Sequence, residues 1–193
     1  MAKSESMINK IDDYIKSKNV YIQHNFFKEN FNNLLKKLQL YKLKSTYQPS
    51  HIYYGNRFQA YPCYETTLNK DLNKHLKKNI QELFKNKLKN FKSIYRVTLL
   101  DEFKKSASYG EYNFIHQDID ENSKIEKIGG LLYLEQSVDS GTGFFYNKWD
   151  KKPDIKIGSF PNRLVLYSGT IPHAALHDLN NEKRHILVFF FEL

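Results

Sequence analysis

The sequence predicts a single α+β domain, residues 1–193, in which N-terminal helices buttress a jelly-roll-like double sheet. Apolar residues recur at helical spacing through much of residues 1–90, which we assign as mainly helical support. From about residue 91 the pattern changes to short β-branched and aromatic runs separated by turns, and residues 91–193 are assigned as the core. No helix-length pattern interrupts the last eighty residues, so the strands should pair mostly antiparallel. A sheet of this length must close or form a sandwich to protect its edges.

The three predicted helices differ in length and in the strength of their apolar stripes. Ile8, Ile11 and Ile15 indicate a short amphipathic helix near the N-terminus, and the third helix has the longest stripe. The predicted bounds are residues 5–17, 27–43 and 67–89, with a short strand at 20–27. The intervening residues 45–65 are rich in Tyr, Pro and Gly and are expected to form an irregular loop.

Seven strands are predicted after the last helix, each bounded by Gly, Pro, Asn or Asp. Their predicted bounds are residues 93–100, 111–118, 129–136, 142–148, 163–169, 173–179 and 184–193. The connection between the last two strands contains Asn180-Asn181, which favours a hairpin turn. Such a hairpin would place His173 and Arg184 on neighbouring strands.

Composition narrows the possible partners and compartment. The formal net charge is +9, but only four of the 30 basic residues are Arg, and the Lys excess is dispersed along the predicted helices. Dispersed Lys usually forms a solvated helix face, so nucleic acid is possible as a partner but not favoured. The single Cys63 forms no internal disulfide, and no segment has the length and hydropathy of a signal or membrane helix. A cytoplasmic protein is therefore expected.

The segment "NFIHQDID" provides the first candidate site residues, His116 and Asp118. In a strand, residues two positions apart share a face, so the imidazole and the carboxylate should point the same way, beside Tyr112 and Phe114. Alone, such a pair is more often a solvated pair or a side-chain hydrogen bond than a metal site. A third ligand from elsewhere in the sequence is needed to favour metal binding.

The segment "NRLVLYSGTIPHAALHDLNNEKRHILVFFF" supplies that third residue and a basic partner. His173 follows an apolar strand and a Gly-containing turn, whereas the rival histidines His177 and His185 lack this context. Arg184 begins an apolar run and should share a strand face with Ile186, Val188 and Phe190. Because a buried unpaired charge is costly, Arg184 on such a face requires an anion, and its planar fork suits a carboxylate. The alternative is a surface pair with Glu182 or Glu192.

Two His and one carboxylate form the facial triad of non-haem Fe(II) oxygenases. The order His-x-Asp, distal His and Arg resembles the Fe(II)/2-oxoglutarate-dependent dioxygenase superfamily, prolyl-hydroxylase-like branch. The resemblance runs from about residue 20 to the last residue. The similar segments are "VYIQHNFFKENFNNLLKKL", "GGLLYLEQSVDSGTGFFYN" and "PNRLVLYSGTIPHAA".

The resemblance implies a double-stranded β-helix (jelly-roll, cupin-like) core and a role for each site residue. His116, Asp118 and His173 would bind Fe(II), with no catalytic residue beyond this metal site. Arg184 would bind the far carboxylate of the cosubstrate 2-oxoglutarate, assisted by either Tyr133 or Tyr112. The remaining cosubstrate would be O2.

The implied activity is hydroxylation of a C–H bond with release of succinate and carbon dioxide. A protein side chain or a small molecule is the favoured substrate, and the first candidate is a peptidyl or free amino acid such as proline. Two alternatives stay open: a non-catalytic cupin-like protein that binds a metal or ligand, and a nucleic-acid-directed oxidative demethylase. The demethylases carry a second Arg six residues after the first, where this sequence has Phe190.

Overall fold

The structure, a computed structural model, describes residues 11–15, 18–45, 63–100, 115–120, 122–147, 150, 152–178 and 181–193. The helical segments within these ranges include α1 (residues 11–15), α2 (Phe31–Leu38) and α3 (Lys70–Gln81). The ten strands are β1 (Tyr21–Gln23), β2 (Lys44–Ser45), β3 (Tyr64–Thr67), β4 (Lys89–Leu99), β5 (Lys127–Tyr133), β6 (Ser137–Phe144), β7 (Ile155–Ser159), β8 (Leu164–Ser168), β9 (His173–Leu176) and β10 (Lys183–Glu192). None of the described helices is long and apolar enough to cross a membrane.

The strands form two antiparallel sheets. The large sheet has the order β1-β8-β5-β10-β4-β3-β2, and the small sheet has the order β7-β6-β9. Every pairing between these strands is antiparallel. From β5 onward the backbone passes repeatedly from one sheet to the other, as in a jelly roll. The predicted jelly-roll fold is confirmed.

Strand β10 shows how the two faces of the large sheet are used. Leu187 and Phe189 belong to a core cluster shared with the helices, whereas Ile186 and Val188 belong to a second cluster that faces the small sheet. Because side chains alternate along a strand, one continuous apolar run serves both layers. Arg184 and Tyr133, two of the predicted site residues, lie on the second face, between the sheets.

The helices cover the first face through short apolar stripes. In α3, Leu72, Leu76 and Ile80 recur every four residues and are buried. The helix begins at Asn69, whose side chain accepts a hydrogen bond from the Leu72 amide at 3.0 Å, a common N-cap arrangement. Helix α2 buries Leu34 and Leu38 in the same way. Both helices are therefore present as predicted, but each is shorter than its apolar pattern.

The large sheet extends into the half of the sequence predicted to be mainly helical. Strands β1, β2 and β3 all precede residue 90 and add to both edges of the sheet. The end of the predicted loop 45–65 is part of β3, while residues 46–62 lie outside the described residues. The division into 1–90 and 91–193 within one domain stays a prediction.

Further details of the strand prediction were wrong. Of the predicted strand 111–118, the described residues 115–118 contain only a single bridge at His116, and Asp118 lies in a bend. Strand β7 was missed because its sequence, IKIGS, is short and interrupted by Gly. The expected hairpin between the last two strands does not form, since β9 lies in the small sheet and β10 in the large sheet. The connection crosses between sheets because β9 pairs with β6, whereas both edges of β10 are occupied by β4 and β5.

Candidate metal centre

His116 and His173 are held together by main-chain hydrogen bonds. The His116 amide donates to the His173 carbonyl at 3.0 Å, and the His173 amide donates to the His116 carbonyl at 2.9 Å. This isolated antiparallel bridge continues the small sheet beyond β9 and brings the two ring centroids to 4.4 Å. Two residues 57 positions apart in sequence thus form a side-by-side pair.

Asp118 completes the group from a bend that follows this bridge. Its amide donates to the Gly169 carbonyl at 2.8 Å, in the turn that leads from β8 to His173. Its two carboxylate oxygens each lie 3.8 Å from a histidine Nε2, Oδ1 from that of His116 and Oδ2 from that of His173. One candidate ligand atom from each residue lies within 4.8 Å of the others. The structure therefore brings together the three residues predicted as metal ligands.

The group is open on one side and closed on the other. The His116 side chain is 55% exposed, whereas those of Asp118 and His173 are 7% and 6% exposed. A metal ion held here would contact solvent or a ligand on the His116 side. This is the arrangement expected of a metal centre with open coordination positions.

The hydrogen bonds of His173 define which ring nitrogen faces the group. Nδ1 lies 2.9 Å from the Ile171 carbonyl, which only accepts, so we assign the proton to Nδ1. Burial, followed by the effect of His116, lowers the pKa of His173 to about 4 even though Asp118 opposes the shift. His173 is therefore neutral at neutral pH and turns the lone pair of Nε2 toward the centre, as a metal ligand requires.

The Asp118 carboxylate fits a cation. Oδ2 is buried and has no hydrogen-bond partner among the residues that the structure describes. A buried carboxylate oxygen without a donor is costly, and a bound cation removes that cost. Together with two histidines, it forms a donor set suited to a first-row divalent metal such as Fe(II).

Two residues that the sequence did not single out lie against this group. The Tyr167 hydroxyl lies 3.1 Å from His173 Nε2 and, in the tautomer assigned above, donates to it in the metal-free protein. This hydroxyl must release the Nε2 lone pair before a metal can bind there. Gly129, opposite Tyr167 in the sheet, leaves the space that both Tyr167 and Asp118 occupy. A Cβ at Gly129 would lie 2.5 Å from the Tyr167 ring and 2.8 Å from Asp118 Oδ2. Sequence parity alone does not indicate these contacts, because they depend on the pairing of β5 with β8.

Arg184 lies at a second polar position between the sheets. It is buried, and its Nη2 donates to the Gly141 carbonyl of the small sheet at 2.9 Å. Its Nε is buried with no hydrogen-bond partner among the residues with described positions. The prediction that Arg184 shares the inner face with Ile186 and Val188 is confirmed. The remaining hydrogen-bonding capacity of its guanidinium suits a small carboxylate.

Tyr133 lies beside Arg184 on the same face. It is paired with Ile186, two residues from Arg184, and its ring centroid is 6.0 Å from the guanidinium carbon. Its hydroxyl donates to Thr142 Oγ1 at 2.7 Å. Burial raises the pKa of Tyr133, whereas the charge of Arg184 opposes that rise, so the phenol stays protonated. The other predicted tyrosine, Tyr112, lies outside the described residues.

The rival histidines lie elsewhere. His185 points to the helix-facing side, where its Nδ1 lies 2.8 Å from the Tyr95 hydroxyl. Burial, followed by the positive charge of nearby Arg184, lowers the pKa of His177 to about 3. Neither belongs to the His116, Asp118 and His173 group.

Comparisons with known proteins were informative at the level of structure only. No family model and no curated protein sequence matches this sequence. A prolyl-4-hydroxylase from Pseudomonas putida superposes with a TM-score of 0.62 at 12% identity, covering 96% of this chain and 98% of that one. A prolyl hydroxylase from Trichoplax adhaerens, in complex with a peptide fragment of hypoxia inducible factor, gives 0.62 at 15% identity, covering 99% and 91%. An oxidoreductase of the 2OG-Fe(II) oxygenase family from Burkholderia pseudomallei gives 0.60 at 11% identity, covering 98% and 90%.

The protein has the fold of the prolyl-hydroxylase-like Fe(II)/2-oxoglutarate oxygenases. The resemblance seen in the sequence is thus confirmed for the fold, over nearly the whole length. The double-stranded β-helix explains why His173 and Arg184 come from different sheets. The roles of the individual site residues stay predictions.

Proposed function

We propose that this protein is an Fe(II)- and 2-oxoglutarate-dependent oxygenase that hydroxylates a C–H bond of its substrate. The observation that carries the proposal is the convergence of His116, Asp118 and His173 around a buried, unpartnered carboxylate oxygen within the described residues. The oxygenase fold supports it, since these residues occur in the order that the fold family uses. The first candidate substrate is an amino acid, peptidyl or free, such as proline.

The residues present define how the two bound groups would be held. His116, Asp118 and His173 would bind the metal, and the tautomer of His173 directs Nε2 toward it. Arg184 and Tyr133 would bind the far carboxylate of 2-oxoglutarate between the sheets. Iron with 2-oxoglutarate and O2 supplies the oxidising chemistry, with release of succinate and carbon dioxide.

The protein's own contribution is orientation and exclusion of water. The inner face around Arg184 is lined by apolar side chains from the large sheet, among them Leu131, Val165, Ile186 and Val188. In this low-dielectric environment the pairing of Arg184 with a carboxylate is strong and fixes the orientation of the bound acid. The exposed side of His116 leaves an approach for the substrate.

Anaerobic titration with Fe(II) and 2-oxoglutarate tests the proposal directly. We expect a weak metal-to-ligand charge-transfer band in the visible spectrum, and succinate formation when O2 is admitted. The variant Arg184→Lys, which keeps the charge but loses the fork, should weaken the 2-oxoglutarate band without preventing Fe(II) binding. If no band forms and no succinate is produced, the protein is not an oxygenase of this type.

The two alternative functions predict different results. A non-catalytic metal-binding protein would bind Fe(II), yield no succinate and be indifferent to Arg184→Ala. A nucleic-acid-directed enzyme would bind an oligonucleotide with an affinity that falls steeply with salt. At the position of the demethylases' second Arg, Phe190 packs against the apolar inter-sheet cluster, which argues against that reading.

A further inference from the structure

A charged pair lies on the inner face of the large sheet, apart from the metal and cosubstrate positions. Arg96 in β4 donates from Nε at 3.1 Å and from Nη2 at 2.9 Å to Oε2 of Glu65 in β3. The two side chains are 25% and 29% exposed. The pair therefore lines a surface that a dissolved ligand can reach.

The strand register connects this pair to the cosubstrate position. Glu65 is paired with Arg96 across β3 and β4. Arg96 is paired with Ile186, which is in turn paired with Tyr133. Directly opposed residues in a sheet point to the same face, and Ile186 and Tyr133 both face the small sheet. The charged pair thus lies on the same face as Arg184. Arg96 is on β4, the strand next to β10, and Glu65 is on β3, one strand further.

A contribution to folding stability does not explain why Arg96 and Glu65 occupy these two positions. An ion pair of this exposure is screened by water and contributes little to folding. Apolar residues at both positions would simply extend the inner face that Ile186 begins. The pair does offer a ligand one guanidinium and one carboxylate, held side by side.

We propose that Arg96 and Glu65 recognise a free α-amino acid as the substrate, with Arg96 binding its α-carboxylate and Glu65 its α-ammonium group. These two groups are two bonds apart in an amino acid, which matches two side chains in direct contact. A guanidinium suits a carboxylate, and a carboxylate accepts from an ammonium group. A residue inside a peptide has neither charge, so this pair favours the free amino acid over the peptidyl one.

This inference rests on the proposed oxygenase function and names its substrate class. With both main-chain groups held, oxidation falls on the side chain. One oxygen atom of O2 enters a C–H bond of that side chain as a hydroxyl group, and the other enters succinate as 2-oxoglutarate loses carbon dioxide and supplies two electrons.

The test compares free and blocked amino acids with the Fe(II)- and 2-oxoglutarate-loaded protein. A panel of L-amino acids is assayed for stimulated succinate formation, alongside the N-acetyl and carboxamide derivatives of each. We expect a free amino acid to stimulate, and blocking either end to raise the apparent KM by roughly 10- to 100-fold. Stimulation by peptides or doubly blocked derivatives equal to that by free amino acids overturns the proposal.

A charge swap separates recognition from a structural role. The double variant with Glu65→Arg and Arg96→Glu keeps an ion pair but exchanges its ends. We expect unchanged urea stability and an unchanged 2-oxoglutarate charge-transfer band, with stimulation by the amino acid lost. If the swapped protein is stimulated like the parent, the pair is structural and the proposal fails.

Direct binding distinguishes failure of this inference from failure of the oxygenase function. Calorimetry with Mn(II) and 2-oxoglutarate measures amino-acid binding without turnover. Binding to the parent but not to the swapped protein supports the recognition role even if no succinate forms, in which case the oxygenase function alone is refuted. If succinate forms but no free amino acid binds or stimulates, the recognition role alone is refuted.

Discussion

Replacing Gly129 by Ala should disrupt the metal centre through a single added methyl group. The Cβ would lie 2.5 Å from the Tyr167 ring and 2.8 Å from Asp118 Oδ2, whereas ordinary contact begins at 3.4 Å. Relieving both clashes requires shifts of roughly 0.5–1 Å, which exceeds the tolerance of about 0.5 Å for a functional constellation. We expect metal affinity to fall roughly 10- to 100-fold, in line with other disturbances of groups that orient metal ligands.

The neighbouring Gly130 provides a matched control because it faces the opposite side of β5. A Cβ at Gly130 would overlap the ring of Phe189, in the cluster shared with the helices. Both Gly129→Ala and Gly130→Ala should therefore lose about 1–3 kcal/mol of stability through overpacking. Only Gly129→Ala should lose metal affinity beyond that common effect.

Calorimetric titration with Mn(II), together with urea unfolding of each protein, measures the two effects separately. The comparison is made at a temperature where both variants are folded, as judged by near-ultraviolet circular dichroism. Wild-type metal affinity in Gly129→Ala would refute the reasoning. Equal loss of affinity in both variants would refute it too, because the effect would then follow stability rather than the crowding of Asp118.

Three further predictions concern single groups of the site. Tyr167→Phe should raise Mn(II) affinity or leave it unchanged, because the hydroxyl that donates to His173 Nε2 in the metal-free protein no longer competes with the metal for that lone pair; a fall of roughly 10-fold or more in a titration would show instead that the hydroxyl orients the ligands. Asp118→Ala should abolish Mn(II) binding while leaving the urea stability of the metal-free protein unchanged or higher, since it removes a buried oxygen without a donor among the described residues; a clear loss of stability would contradict this. His173 and His177 have pKa values lowered to about 4 and about 3, so the unfolded protein takes up protons below about pH 6.5 that the folded protein does not. The stability of the metal-free protein should therefore fall between about pH 6.5 and 5, by up to about 1.4 kcal/mol per pH unit for each histidine, and His177→Gln should make that fall shallower in urea titrations at the two pH values.

The sequence was sufficient where a single local period decides the outcome. The four-residue spacing of Leu72, Leu76 and Ile80 predicts α3, and the structure buries all three. Alternation along residues 184–193 placed Arg184 on the inner face of its strand, and its hydrogen bond to Gly141 confirms that side. Both predictions depend on periods of a few residues, which the backbone sets without reference to distant partners.

The register between strands could not be predicted from the sequence. Parity alone did not choose between Tyr133 and Tyr112 as the partner of Arg184. The pairing of Tyr133 with Ile186 places Tyr133 beside Arg184, while Tyr112 lies outside the described residues. A shift of one residue would have turned Tyr133 to the helices, and nothing local to β5 prevents it.

What the sequence determined by itself is the set of chemical groups and their order: His116, Asp118, His173 and then Arg184. Only the tertiary structure decided how they meet. The expected hairpin would have put His173 and Arg184 on adjacent strands, yet they lie in different sheets. The physical reason is that the main-chain partners of β9 and β10, β6 on one side and β4 and β5 on the other, come from distant parts of the sequence. Their pairing energies, not the short connection, determine where each strand lies.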